Sequence, residues 1–123
     1  MLYRLLAYLW VAFVLFLLLT PNLGTSGYHF FENEDKVVHF GLFSVGAVLW
    51  MGHLIQNRQL NTGRAMAWIA LFGIIFGGGT ELLQGFIPGR GTDIRDFVVD
   101  TLGMAAGIIF QYFHQKRKKI RSN

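Results

Sequence analysis

The chain has 123 residues, enough for one domain; 53% are hydrophobic and only 15% charged, and the mean hydropathy is +0.42. A soluble domain carries ~25% charged residues, so this composition points to a single-domain integral membrane protein spanning 1–123 and excludes an ordinary soluble fold. The lack of cysteine excludes disulfides and thiolate metal sites, and the net charge of +4 is no nucleic-acid signal, because the excess sits in one C-terminal cluster without an accompanying motif.

Residues 2–20 are apolar except for Arg4. About 20 residues span ~30 Å as a helix, the thickness of the hydrocarbon core. The run is too long for a signal-peptide core and no A-x-A cleavage site follows, so it predicts an uncleaved first span. Pro21 ends it, and a loop runs to the acidic Glu32-Asn33-Glu34-Asp35. Residues 35–55 predict the second span, with Asp35, Lys36 and His39 in its first turns. A short polar loop follows, and 65–87 predicts the third span, which carries Gly73-x-x-x-Gly77, a spacing that admits close helix approach. Residues 93–113 predict the fourth, with Gly103-x-x-x-Gly107 on it, and a basic tail, Lys116 to Arg121, ends the chain. Arg4, Arg58, Arg64 and this tail fall on one side of a four-span bundle. The positive-inside rule then puts both termini in the cytoplasm and the 88–95 turn outside.

The most polar stretch is 80–103. It holds Glu81, Asp93, Asp96 and Asp100 out of a total of seven carboxylates. Glu81 and Gln84 are spaced i, i+3; Asp96 follows Asp93 by three residues and Asp100 follows Asp96 by four. Each set falls on one helix face. Pro88-Gly89-Arg90-Gly91 between them reads as a tight turn. By helical rise, Glu81 lies ~9 Å below the outer end of the third span and Asp100 ~6 Å below Asp96. Three helices thus bring His39, Glu81 and Asp100 to one depth. An ionisable residue inside a membrane points to function, since a charge at the midplane costs roughly 2.5–3.5 kcal/mol. The competing reading is a hydrogen-bonded network that only holds helices together. Asp35 and Asp93 also suit helix caps. His29 and His114 read as interface residues, and His53 falls at the opposite end of its span.

Asp35-Lys36-x-x-His39-Phe40, Glu81-x-x-Gln84, Pro88-Gly89-Arg90 and Asp93-x-x-Asp96-x-x-x-Asp100-Thr101-Leu102-Gly103-x-x-x-Gly107 together resemble the VanZ-like family over residues 35–107. The chain departs at Asp100, where that family usually has Asn. The resemblance implies a multi-pass protein of the bacterial cytoplasmic membrane associated with teicoplanin resistance, and no particular reaction.

The favoured expectation is an outward-facing site for a membrane lipid, a lipid-linked envelope precursor or an amphiphilic glycopeptide. Asp35, Lys36, Gln84, Arg90, Asp93 and Asp96 are its ligand-binding residues, with Arg90 on an anionic group. The alternative is an intramembrane hydrolase or transferase on an envelope lipid, with His39, Glu81 and Asp100 as acid–base groups or metal ligands. No recognised metal-ligand spacing is present, so no metal and no cofactor is assigned. No Ser or Cys occupies a nucleophile motif. A proton-coupled carrier ranks third, because there is no inverted repeat.

Overall fold

The computed structural model describes residues 2–21 and 34–121. It holds four helices: α1 (Leu2–Leu19), α2 (Glu34–Gln56), α3 (Thr62–Gln84) and α4 (Ile94–Arg121). All four are long and apolar enough to cross a membrane, and the described residues contain no strand. This is the all-α, four-span bundle that the apolar runs predict.

Helix bounds follow local chemistry. α3 begins three residues before the predicted start because Asn61 caps it, its side chain accepting the Arg64 N–H at 2.9 Å. It stops at Gln84, short of the predicted 87. Pro88 disfavours helix at Ile87, and the chain turns through Phe86 N–H to Leu83 and Ile87 N–H to Gln84, then through Gly89 at φ 80°. Glu81 therefore sits ~4.5 Å from the end of its helix, shallower than the sequence implies. Asp93 caps α4: its carboxylate accepts the Arg95 N–H at 2.8 Å and its carbonyl the Asp96 N–H at 3.0 Å. At the other end α4 continues to Arg121 rather than stopping near 113. Nothing between them breaks a helix, and basic residues favour a helix C-terminus.

Contacts along the helices define the topology. Gly103 packs on Phe40 and Gly107 on Ser44, so α2 and α4 run parallel. Gly73 meets Met104 and Gly77 meets Asp100, so α3 is antiparallel to α4. The Trp10 indole donates to the Leu42 carbonyl at 3.0 Å while Tyr3 covers Gly52, which sets α1 antiparallel to α2. A Cβ on Gly103 would overlap the Phe40 carbonyl oxygen, and one on Gly107 would overlap that of Ser44. Only glycine permits this backbone contact, which supplies the dispersion and close approach that hold helices together where lipid removes any hydrophobic drive.

The core is made by Leu42, Phe43, Met51, Ile69, Met104 and their neighbours. Phe16, Phe72, Ile75, Leu82 and Phe110 lie outside it, each more than half exposed. Such a surface is stable in acyl chains and not in water.

Candidate functional site

The close approach of α2 and α4 places the site. His39 precedes the Phe40 backbone against which Gly103 packs, and Asp100 lies one turn before Gly103. Asp100 Oδ1 accepts a hydrogen bond from His39 Nδ1 at 2.9 Å, with both side chains buried. A neutral ring whose Nδ1 donates to the carboxylate presents Nε2 as its acceptor.

α3 brings Glu81 to the same place. Its Oε2 accepts the Asp93 N–H at 3.0 Å, which ties the end of α3 to the cap of α4. Its Oε1 is buried and has no hydrogen-bond partner among the described residues; the same holds for Asp100 Oδ2. Asp96, one turn before Asp100, completes a buried group: one donor atom from each of His39, Glu81 and Asp96 lies within 4.8 Å of the others. Each residue comes from a different helix.

Lys36 closes the rim. Its ammonium lies 3.2 Å from Asp96 Oδ1, 3.2 Å from Asp35 Oδ2 and 3.6 Å from Asp93 Oδ2. Asp35 and Asp93 are exposed enough that these pairs contribute little stability, at most ~1 kcal/mol each. The consequence is orientation: Lys36 holds Asp96 through Oδ1.

Arg90 and Gln84 are placed elsewhere. Arg90 Nε donates to the Thr20 carbonyl at 3.2 Å and Nη2 to that of Leu17 at 3.0 Å; Gln84 Nε2 donates to Leu18 at 3.0 Å. Together they satisfy carbonyls that the end of α1 leaves open. Of the sequence-derived candidates, the structure brings His39, Glu81, Asp96 and Asp100 into one buried cluster and sets Asp35, Lys36 and Asp93 at its rim. Gln84 and Arg90 become the clasp on α1. Asp96 belongs at the buried centre more than sequence spacing suggests; its i, i+4 relation to Asp100 is the signal that finds it. His53 is buried far from this cluster, edge-on to Tyr8 and Trp50. His29 lies outside the described residues.

One turn deeper, the polar cluster meets an apolar groove of about 440 Å³. Phe43 is four residues past His39, Met104 four past Asp100, and Phe76 five before Glu81; all three line it, with Trp10, Trp68 and Phe72. None of His39, Glu81, Asp96 and Asp100 lines the groove, which is apolar throughout and begins about one turn from them.

Comparison with known proteins agrees with this architecture. The profile of the VanZ/LLP1 family matches residues 4–115. The chain belongs to the VanZ/LLP1 family. An uncharacterized protein of Schizosaccharomyces pombe is 27% identical over 113 residues, covering 89% of this chain and 67% of the yeast protein. No solved structure matches significantly. A VanZ/LLP1 member with four such helices is a multi-pass membrane protein. The match also takes in α1, beyond the 35–107 stretch that carries the resemblance in sequence.

Proposed function

We propose that this VanZ/LLP1 protein binds a membrane lipid or lipid-linked envelope precursor and cleaves or transfers its headgroup within the bilayer interface. The observation that carries the reading is the buried His39–Asp100 pair beside Glu81, whose Oε1 has no hydrogen-bond partner among the described residues. A network that only joined helices would satisfy its members, since an unpaired buried polar atom costs ~1–3 kcal/mol. Unspent acceptors beside an oriented imidazole suit a group that receives or delivers a proton. The apolar groove supports a lipid as the occupant: an acyl chain would lie among α1, α2 and α3, one turn from His39 and Glu81.

Simple anion capture fits less well, because Arg90 is engaged by α1 carbonyls and carboxylates dominate the cluster. Teicoplanin-type resistance, which the family resemblance implies, would then follow from an altered supply of envelope precursor. The charge bias supports a site on the outer face of the bacterial cytoplasmic membrane.

The test is headgroup release. Purified protein in liposomes is given radiolabelled glycerophospholipids and isoprenoid-linked sugars, and water-soluble label is counted. Release from one class is expected. Lipids that bind but stay intact over long incubation would reduce the protein to a binding module.

A further inference from the structure

We propose that His39, Glu81 and Asp96 bind a divalent transition-metal ion, with Asp100 acting behind His39 to hold it in the ligating tautomer. This deepens the hydrolase reading of the same site, but it stands on the donor set and is measured without turnover.

The donors are already gathered. One atom from each of the three buried side chains lies within 4.8 Å of the others. Adjacent donors around a tetrahedral ion with ~2.1 Å bonds are ~3.4 Å apart. The widest pair therefore closes by at most ~1.4 Å, divided between two side chains.

Independent evidence points into the same space. Glu81 is 3% exposed, and its Oε1 has no hydrogen-bond partner among the described residues. Its other oxygen is held by the Asp93 N–H, so the carboxylate is fixed with one acceptor unspent. Asp100 at His39 Nδ1 supplies the carboxylate partner that orients a ligating imidazole, with Nε2 as the nitrogen that would bind the ion. Lys36 holds Asp96 through Oδ1.

Charge asks for the same ion. Glu81, Asp96 and Asp100 are buried together, and the nearest ammonium, Lys36, is shared with Asp35 and Asp93 at the rim. A divalent cation offsets the surplus and turns an acidic cluster into one that attracts an anionic headgroup. An imidazole with two carboxylates suits Zn²⁺, Mn²⁺, Fe²⁺ or Co²⁺ better than Mg²⁺ or Ca²⁺, which prefer oxygen-only sets. Three protein ligands leave a coordination position open, as in sites where a metal lowers the pKa of a bound water.

The experiment uses the full chain without a histidine tag, purified in detergent free of chelator. Bound metal is measured by elemental mass spectrometry. Chelator-stripped protein is then titrated with Zn²⁺, Mn²⁺ and Co²⁺ while thermal unfolding and cobalt absorption are followed. About one ion per chain is expected, with a rise in unfolding temperature. Glu81→Gln and Asp96→Asn, close in volume to wild type, should lose the ion; the exposed His114→Gln should keep it. Asp100→Asn should bind about 10–100-fold more weakly. Stripped wild type that takes up none of these metals and shows no thermal shift overturns the proposal, as does undiminished binding by Glu81→Gln. Metal-loaded protein that releases no headgroup refutes the hydrolase reading alone and sustains the metal site.

Discussion

Alanine at Gly103 should separate α4 from α2 and break the site without touching any polar residue. A Cβ there would lie 3.0 Å from Phe40 Cα and overlap the adjoining carbonyl oxygen. Carbon pairs settle at ~3.5–4.0 Å, so the backbones must part by roughly 0.5–1.0 Å. The His39–Asp100 bond, now 2.9 Å, would lengthen to ~3.4–3.9 Å, beyond hydrogen-bonding range. Overpacking costs ~1–3 kcal/mol and the unpaired buried groups ~1–3 kcal/mol more, against a helix-propensity gain of at most ~1 kcal/mol. Gly79 is the control, because a Cβ there meets nothing within 4 Å. Gly79→Ala should be neutral or slightly stabilising, and Gly103→Ala should lie at least ~2 kcal/mol below it. Unfolding in mixed micelles, followed by tryptophan fluorescence, gives both values. Equal stability and equal function of the two variants would refute the backbone-contact account of how the site is assembled.

Asp100→Asn keeps an acceptor for His39 Nδ1 and should remain folded with reduced function, whereas Asp100→Leu should cost ~1–3 kcal/mol, read as thermal stability in detergent. Arg90→Lys retains charge but reaches one α1 carbonyl where the guanidinium reaches two; unfolding should be easier by ~0.5–3 kcal/mol, and a wild-type melting curve would speak against the clasp. Cysteines at Asn61 and Gly91 test orientation on intact cells with an impermeant thiol reagent. Labelling at 91 and protection at 61 are expected, and the reverse pattern moves the site to the cytoplasmic face.

The helices were legible because lipid imposes length and apolarity on a span, and charge bias makes the loops conspicuous. The shared depth of His39, Glu81 and Asp100 was legible from helical rise alone. Partner choice was not. Whether Arg90 turns to a ligand or to the end of α1 depends on how α1 packs, and no spacing encodes that. The same holds for Gln84, whose i, i+3 relation to Glu81 suggests one shared task, while its amide bonds the Leu18 carbonyl. Asp96 was assigned to the ligand-binding set by position, but its place at the buried centre needed the parallel register of α2 and α4. That register is written in Gly103 and Gly107 only once Phe40 and Ser44 are known to face them. The end of α3 differed because the restriction that Pro88 places on Ile87 outweighed a continuous apolar run.

The central claim, that the buried carboxylates do chemistry rather than hold helices, turns on Glu81→Gln. The amide keeps the volume, and its oxygen still accepts the Asp93 N–H, so the fold should survive. The measurement is headgroup release by wild type and Glu81→Gln in matched proteoliposomes, with unfolding temperatures taken on the same preparations. The account predicts release by wild type and a loss of about 10²–10⁴-fold in the variant, whose unfolding temperature should match that of chelator-stripped wild type. A Glu81→Gln protein that releases headgroup at the wild-type rate would contradict it.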